Sequence, residues 1–416
     1  MYRLRVLSLK NRNEIADELR KIGVDPGGIN KLTPKGVVRI TKVSGLPSAA
    51  GHILKQTMLS IGGDVAVSHG SLTMRETTTD ALIIGTENHY RRLIENLKLQ
   101  PLDLSQLSAR LEKALFASGE NRFVLALGEH TLELGKRTLL MGVVNVTPDS
   151  FSDGGDYLDP AEAADRCFQL VDDGADIVDV GGESTRPGAE AASEETELRR
   201  VMPVLERISG KMKVPVSIDT VKPRVAREAL SAGAAMVNDI SGLRDPELVS
   251  VVSESGAAVI VMHMKGTPRT MQDNPHYDDL MGEIIAFLEE RVGFAVASGV
   301  EEDKVLIDPG IGFGKTVDHN YQIIDRLEEL RCLGRPIVVG PSRKSFIGKV
   351  VNAEAGQRVF GTAAAVTWCI ANGADIVRVH DVKEMKQVAA VADRFLAVRS
   401  GAGRERFEER PAERRR

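Results

Sequence analysis

Short apolar runs alternate with longer segments of helical periodicity from residue 139 onward. The runs cover residues 139–146, 176–181, 214–219, 236–240, 258–263, 305–308, 336–340 and 376–380. Nearly continuous apolar runs are typical of parallel strands that are covered on both faces. Eight such strands, each followed by a helix, predict an α/β fold of the (β/α)8 or TIM barrel class, which we place at residues 136–398.

Residues 1–135 have a different rhythm and predict a smaller α/β accessory domain. Helical segments near residues 14–22, 50–61 and 88–97 alternate with apolar strands at 81–84 and 123–127. The expected junction with the barrel lies at residues 128–135. The polar cluster at residues 68–71 lacks a supporting nucleophile arrangement, so the role of this domain stays open.

The segment at residues 399–416 contains seven arginines and four glutamates with almost no apolar side chains. Such a segment cannot bury enough surface to offset its ordering entropy, so we expect a charged, disordered tail. A contact with RNA or with a protein partner is the alternative, which the mixed charge disfavours.

Three segments share one pattern, a glycine followed by a short strand that ends on a polar residue. They are Gly174–Asp179, Gly233–Asn238 and Gly373–Arg378. Each glycine is expected to stop a helix before the strand begins. Because the three polar residues lie at the carboxyl ends of their strands, we expect their side chains to converge at the mouth of the barrel. The alternative is that they are satisfied polar groups in the upper layer of the barrel.

The composition is that of an ordinary globular enzyme. The 416 residues are 42% hydrophobic and 27% charged, and the formal net charge of −5 provides no overall basic field for nucleic acid. The apolar stretches fall short of the roughly 20 residues that span a bilayer, and the amino terminus lacks the apolar core of a signal peptide.

The three cysteines, Cys167, Cys332 and Cys369, are far apart and outside metal-ligand spacing. We therefore expect a cytoplasmic protein with reduced cysteines.

The first two predicted strands lead into polar, glycine-rich loops. The segment MGVVNVTPDSFSDGG at 141–155 is an apolar strand that ends in Asn145 and a run of short polar residues, and GGESTRPG at 181–188 follows the second strand. Loops at the ends of rigid barrel strands commonly carry catalytic groups. The second loop predicts an active-site lid, with an exposed turn as the alternative.

Hydrogen-bonding side chains end several of the other strands. Asp219, Asn238 and Asp308 each follow an apolar run. Carboxylates and amides in such places can orient a flat heterocycle that carries amino groups. His263, after the fifth strand, belongs either to this site or to the satisfied interior of the barrel.

Basic side chains follow the last two strands. Arg343, Lys344 and Ser345 lie on the loop after the seventh strand, and Arg378 and His380 end the eighth. Alternation along a strand places Arg378 and His380 on one face. The last two loops of this fold frequently bind phosphate, so a basic pair here predicts a site for a pyrophosphate leaving group.

The predicted barrel contains five separated motifs, NVTPDSFSDGG, GGESTRPG, SIDT, IDPGIGFGKT and SRKSF, as well as Arg378 and His380. Together they resemble the dihydropteroate synthase family over essentially all of residues 139–398. The resemblance implies that 6-hydroxymethyl-7,8-dihydropterin diphosphate is joined to para-aminobenzoate, with release of pyrophosphate, in folate biosynthesis. It also implies that pyrophosphate leaves first and that the arylamine attacks the resulting cation. The accessory domain is a departure, because compact members of the family do not need it.

The resemblance also implies roles for individual residues. The pterin would be held by Asp219, Asn238, Asp308, Lys344, Met262 and Phe313. The diphosphate would be bound by Asn145, Arg378 and His380. The loop residues that would close over the site are Asp149, Phe151, Thr185, Arg186 and Pro187, and Ser345 with Pro187 would frame the aminobenzoate. The expected catalytic residues are Lys344, Asp219, Arg378 and His380.

A magnesium ion is expected near Asn145, because the sequence lacks the spacing of a tightly held structural metal and Mg²⁺ commonly arrives with substrate phosphates. The expected partners are the two small-molecule substrates and a second copy of the chain, joined through the outer helices of the barrel. No nucleic acid or membrane partner is expected.

Two other hypotheses compete with the synthase. A pterin-binding methyltransferase would share the carboxylates but needs no diphosphate site, so the first loop and the Arg378 and His380 pair disfavour it. A non-catalytic pterin-binding or scaffolding protein would place the function in the accessory domain. Binding assays with residues 1–135 would distinguish it.

Overall fold

The computed structural model describes residues 2–9, 11–73, 75–116, 122–147, 159–184 and 192–400. The chain divides into two compact units, residues 1–119 with 394–416 and residues 120–393. The second unit thus begins earlier than the junction expected at 128–135. Most of the expected charged tail, residues 401–416, lies outside the described residues.

The first unit is an α/β structure built on a three-stranded antiparallel sheet. In chain order its elements are α1 (Arg12–Ile22), α2 (Pro26–Gly36), β1 (Val38–Pro47), α3 (Ser48–Ser60), β2 (Asp64–Val67), α4 (His69–Leu72), β3 (Thr78–Thr86), α5 (Glu87–Leu97) and α6 (Leu104–Phe116). The strand order is β1-β3-β2, and helices α3 and α5 share an apolar core with the sheet. Tyr90 is fully buried in this core, where its hydroxyl donates to the carbonyl oxygen of Ile83 at 2.8 Å.

The second unit opens with a hairpin and continues as a parallel barrel. The hairpin is β4 (Phe123–Leu127) and β5 (His130–Leu134). The barrel strands are β6 (Leu139–Asn145), β7 (Ile177–Gly181), β8 (Val216–Asp219), β9 (Met236–Asp239), β10 (Ala258–Met262), β11 (Val305–Asp308), β12 (Val338–Val339) and β13 (Ile376–Val379).

The eight strands of this sheet pair in the order β11-β10-β9-β8-β7-β6-β13-β12. A parallel bridge between Ile307 and Ile337 joins the two ends of that order, so the barrel closes. Each strand lies inside or within a residue or two of an apolar run predicted from the sequence. The predicted TIM barrel is therefore confirmed.

One or two helices follow each barrel strand along the chain. They are α7 (Pro160–Asp173), α8 (Glu194–Ile208), α9 (Pro223–Ser231), α10 (Pro246–Ser255), α11 (Leu280–Ala297), α12 (Val317–Asp325), α13 (Ser345–Val351), α14 (Val359–Ala371) and α15 (Val382–Ser400). Gly174, Gly233 and Gly373 have φ of 107°, 107° and 103°, and each follows the end of a helix. Left-handed backbone of this kind ends helices and favours glycine, so the predicted helix stops are confirmed.

The hairpin packs against the amino ends of the barrel strands. Leu125, Leu127 and Leu134 share one buried cluster with the first residues of the strands, among them Leu139 and Ile177. Because this contact buries the apolar face of the hairpin, residues 123–134 belong with the barrel and not with the accessory domain, where we had expected the strand at 123–127. The carboxyl ends of the strands, at the opposite end of the barrel, are not covered by the hairpin.

Among the residues that the structure describes, no helix is both long enough and apolar enough to cross a membrane.

Candidate active site

Polar side chains from four barrel strands meet at the carboxyl end of the barrel. Arg378 on β13 donates from Nε to Asp179 Oδ2 at 2.6 Å and from Nη2 to Asp219 Oδ2 at 2.7 Å. Asn238 on β9 donates from Nδ2 to the same Asp179 oxygen at 3.1 Å. The predicted convergence of Asp179, Asn238 and Arg378 is therefore confirmed, with Asp179 fully buried at the centre.

Asp219 is poised between its two protonation states near neutral pH. Burial raises the pKa of its carboxyl group to about 7, while the Arg378 guanidinium lowers it and the nearby Asp179 carboxylate raises it. Register places Asp219 directly beside Asn238 in the sheet. The two groups therefore offer adjacent hydrogen-bonding atoms at the mouth.

Lys344 and Asp308 lie at the same end of the barrel, after β12 and at the end of β11. Lys344 follows β12, and its Nζ donates to the carbonyl oxygen of Ile311 and lies 4.6 Å from the ring centroid of Phe313. Burial lowers the pKa of Lys344 to about 8, against the attraction of Asp308. Burial raises the pKa of Asp308, and the Lys344 cation opposes that shift. Each group thus favours the charged form of the other.

The loop after β11 depends on glycine at positions that no larger residue fits. Gly310 has φ of 70°, and a Cβ there would lie 1.9 Å from the carbonyl oxygen of His263. Gly314 has φ of 66°, and its Cβ would lie 2.4 Å from the carbonyl oxygen of Lys265. The Gly310 amide also donates to Asp308 Oδ1 at 2.6 Å. The loop is thereby held against β10, with the Asp308 carboxylate fixed beside it.

Apolar side chains line the same region. Met262, at the end of β10, and Phe313 belong to one small cluster with Ile240, Met264 and Met271. The structure thus brings together two predicted site residues, Met262 and Phe313, that are about 50 positions apart in the sequence. An apolar wall next to polar groups is the usual make-up of a small-molecule site.

Lys315 is a buried lysine that sequence reasoning missed. Its Nζ contacts His263 Nδ1 at 2.8 Å and donates to the His263 carbonyl oxygen at 3.0 Å. Burial and the Lys315 cation lower the pKa of His263 to about 2, so its imidazole is neutral. The motif IDPGIGFGKT contains Lys315, and that was the available signal. His263 is therefore engaged from inside the protein, as the barrel-histidine alternative expects.

His380 is a neutral imidazole, whereas the sequence predicted a basic pair formed by His380 and Arg378. Its Nδ1 lies 3.0 Å from the Ser342 hydroxyl, and burial with the neighbouring Arg378 and Arg343 lowers its pKa to about 3. Arg343 pairs with Asp381 and has φ of 59°. A neutral imidazole can donate or accept a hydrogen bond, so Arg378 carries the charge of this pair.

Asn145 ends β6 and lies beside Gly181 in the sheet register. A Cβ on Gly181 would lie 3.7 Å from Asn145 Oδ1, at ordinary van der Waals distance. Among the described residues, no cluster of three or more His, Cys, Asp or Glu is arranged to hold a metal ion.

The remaining predicted site residues lie on loops or at a helix start. Ser345 begins α13. The predicted loop residues Asp149, Phe151, Thr185, Arg186 and Pro187 lie outside the described residues.

Lys222, Glu183 and Glu197 form a cluster of charged side chains at the start of the loop after β7, and the sequence did not predict it. Lys222 Nζ donates to Glu183 Oε2 at 2.5 Å and to a carboxylate oxygen of the fully buried Glu197. Glu183 Oε1 accepts from the Ala192 amide at 3.2 Å. Residues 183 and 192, on either side of the segment 185–191, are thus fixed to each other.

The family model for pterin binding enzymes matches residues 141–380. A dihydropteroate synthase from Synechocystis sp. is 47% identical over 271 residues, which cover 65% of this chain and 94% of that protein. The chain belongs to the dihydropteroate synthase family of pterin-binding enzymes. A crystal structure of the Xanthomonas albilineans dihydropteroate synthase with 4-aminobenzoic acid has a TM-score of 0.62 and 43% identity, and covers 67% of this chain and 99% of that one.

The accessory unit of this chain also lies partly within the aligned region of a relative. A probable bifunctional folylpolyglutamate synthase/dihydropteroate synthase from Halobacterium salinarum is 40% identical over 393 residues, 94% of this chain. A match of that length extends beyond residues 120–393 into the first unit. This chain spans about half of that relative, 47% of its length.

Proposed function

We propose that the chain condenses 6-hydroxymethyl-7,8-dihydropterin diphosphate with para-aminobenzoate to give dihydropteroate and pyrophosphate for folate biosynthesis. The observation that carries the proposal is the meeting of Asp219, Asn238, Asp308 and Lys344 with Arg378 at one end of a barrel whose sequence is 47% identical to a dihydropteroate synthase. Methyl transfer, the competing activity, has no comparable support.

The pterin ring would lie among groups that match its edges. Asp219, Asn238 and Asp308 provide acceptor oxygens for ring and amino N–H groups, and Lys344 provides a donor. Met262 and Phe313 provide apolar surface for the flat faces of the ring. The buried setting strengthens each of these hydrogen bonds relative to water.

The diphosphate would lie near Arg378, His380 and Asn145. Arg378 is held by two carboxylates, so its direction is fixed before substrate arrives. The neutral His380 can donate a hydrogen bond to a phosphate oxygen. The Asn145 oxygen suits Mg²⁺, which takes few protein ligands when it is bound with substrate phosphates. Bound there, Mg²⁺ would neutralise part of the leaving group's charge.

The chemistry needs no nucleophilic side chain. The aminobenzoate nitrogen is neutral at pH 7 and can attack the exocyclic carbon of the pterin once the carbon–oxygen bond to the diphosphate weakens. The protein contributes orientation of the two substrates and stabilisation of the negative charge that grows on the departing pyrophosphate. By family resemblance, Ser345 with Pro187 is assigned to the aminobenzoate side. The loop residues assigned to closure over the site are Asp149, Phe151, Thr185, Arg186 and Pro187.

A homodimer through the outer helices of the barrel is part of the proposal. Large apolar side chains on α13 and α14 are exposed to solvent, including Val350 at 63%, Phe360 at 85% and Trp368 at 54%. Apolar surface of this kind commonly marks a protein interface. A cytoplasmic location is proposed on the three free cysteines, of which Cys167 and Cys369 are buried.

The test supplies purified protein with the pterin diphosphate and magnesium, with and without para-aminobenzoate. Dihydropteroate that forms only with aminobenzoate is expected. If the pterin binds but neither pyrophosphate nor dihydropteroate appears, the proposal is overturned and methyl transfer becomes the leading hypothesis. Treatment with EDTA should stop the reaction, and Asn145→Ala should raise the magnesium concentration needed to restore it; an unchanged requirement would remove Asn145 from the metal site.

A further inference from the structure

Asp179 lies beneath two residues that the proposed function assigns to substrate. Its side chain is fully buried on β7, and its Oδ2 accepts from Arg378 Nε at 2.6 Å and from Asn238 Nδ2 at 3.1 Å. A carboxylate paired with a guanidinium has only acceptor atoms. The amide of Asn238 must therefore turn its NH₂ group toward Asp179.

The other end of the same amide is thereby directed away from Asp179. Within the part of the chain that the structure describes, no group donates a hydrogen bond to Asn238 Oδ1. Its neighbour in the register is Asp219, and the other carboxylate of the mouth is Asp308. With Oδ1 presented, Asn238 adds an acceptor to these two groups, so the mouth favours a ring edge that carries N–H donors.

The geometry points to Asp179 as a positioning residue that fixes the orientation of the Asn238 amide and so sets the preference of the site for a donor-bearing heterocycle edge. This inference rests on the proposed function and deepens it. An asparagine at position 179 has the same shape but can either donate or accept. The Asn238 amide would then have two orientations of similar energy, and one of them presents NH₂ to the ligand.

The choice of ligand and the Asn238→Ala background together separate this role from the contact between Asp179 and Arg378. The test uses 6-hydroxymethylpterin, which lacks the diphosphate, so that anion binding does not enter. Dissociation constants are measured by titration for wild type, Asp179→Asn, Asn238→Ala and the double variant. Asp239→Asn is the matched control, because Asp239 is equally buried on β9 but accepts from Ser241 and the Leu243 amide instead.

Asp179→Asn is expected to weaken pterin binding about tenfold in the presence of Asn238, the size of one buried hydrogen bond to a charged group. In the Asn238→Ala background the same change should weaken pterin binding less than about threefold, because the amide that Asp179 orients is absent. The control is expected to leave the dissociation constant near that of wild type.

Equal losses in both backgrounds would overturn the inference, because Asp179 would then act without Asn238, for example through its own second oxygen. If Asn238→Ala alone leaves pterin binding unchanged, the pocket assigned under the proposed function fails, which is a separate result. If Asp179→Asn does not fold, Asp179→Ser is used in the same cycle with the same two criteria.

Discussion

Nζ of Lys315 lies 2.8 Å from Nδ1 of His263 and 3.0 Å from its carbonyl oxygen, and both residues are buried. Both contacts are with uncharged groups, an imidazole nitrogen and a main-chain carbonyl oxygen. Burial lowers the pKa of Lys315 well below its usual value, and the negative charge of Asp308 raises it. Lys315 is thus one of three cations, with Lys344 and Arg378, that favour the ionised form of Asp308.

Replacing Lys315 with Met should raise the pH below which the affinity for the pterin falls. Burial already raises the pKa of Asp308, and loss of a cation raises it further. The carboxylate must be ionised to accept two N–H groups, so affinity should fall earlier as the pH is lowered. The dissociation constant of 6-hydroxymethylpterin, measured across pH, checks this. Lys265→Met, at a partly exposed lysine, is the control, and parallel profiles for all three proteins would contradict the expectation.

Two groups should give pterin binding a bell-shaped pH dependence. Asp219, with a pKa raised to about 7, gains its acceptor charge as the pH rises. Lys344, with a pKa lowered to about 8, loses its charge as the pH rises further. Affinity should therefore be highest between these values. Asp219→Asn should remove the contribution of Asp219 to the acid limb and leave that of Asp308, and Lys344→Met should flatten the alkaline limb, once the titration of the ligand alone has been subtracted. A limb that is the same in its variant as in wild type belongs to another group.

Lys344→Ala and Asp308→Ala should each lower turnover at least about a hundredfold, because each leaves a buried charge without its partner and removes a contact to the pterin. Steady-state kinetics measure the loss, and circular dichroism verifies the fold. Lys349→Ala, at an exposed lysine on α13, provides the comparison and should resemble wild type. Near-native kinetics in either site variant would remove the pterin-pocket assignment.

Lys222→Met should be among the more destabilising single changes in the barrel. It leaves the fully buried Glu197 without its cation, which costs about 3–5 kcal/mol of unfolding free energy in comparable pairs. Arg224→Ala also removes contacts with glutamates, but these are exposed, so the urea midpoint should change little. Adding Glu197→Gln to Lys222→Met should restore part of the loss. Similar midpoints for the two single variants would show that Lys222 is not needed to stabilise Glu197.

Phe360→Asp should convert the proposed homodimer to a monomer. The side chain is 85% exposed in one copy, and a charge in an apolar interface is unfavourable. Sedimentation velocity measures the mass. Val124→Asp makes the same change on the hairpin, where the side chain is 60% exposed, and should leave the mass unaltered. A monomeric wild-type protein, or a dimeric Phe360→Asp variant, would rule out this face.

The sequence by itself determined the barrel and the identity of many site groups. Continuous apolar runs specify strands covered on both faces, and a glycine before three of those strands marks where a helix must end. Because the carboxyl ends of parallel barrel strands meet at one rim, Asp179, Asn238 and Arg378 could be expected there together. These inferences need only local pattern and one rule of fold geometry.

The tertiary structure alone decided which of these groups bond to each other and what charge they have. Asp179 and Arg378 are 199 residues apart, and Lys315 and His263 are 52 apart, so no local pattern pairs them. The sequence predicted a strand at 123–127 in the accessory domain, and only the contact between the leucines of the hairpin and the barrel assigns residues 123–134 to the barrel. Hydrogen-bond partners and burial set the pKa values of Asp219, Lys344 and His380, and both depend on distances across the closed barrel that only the folded chain fixes.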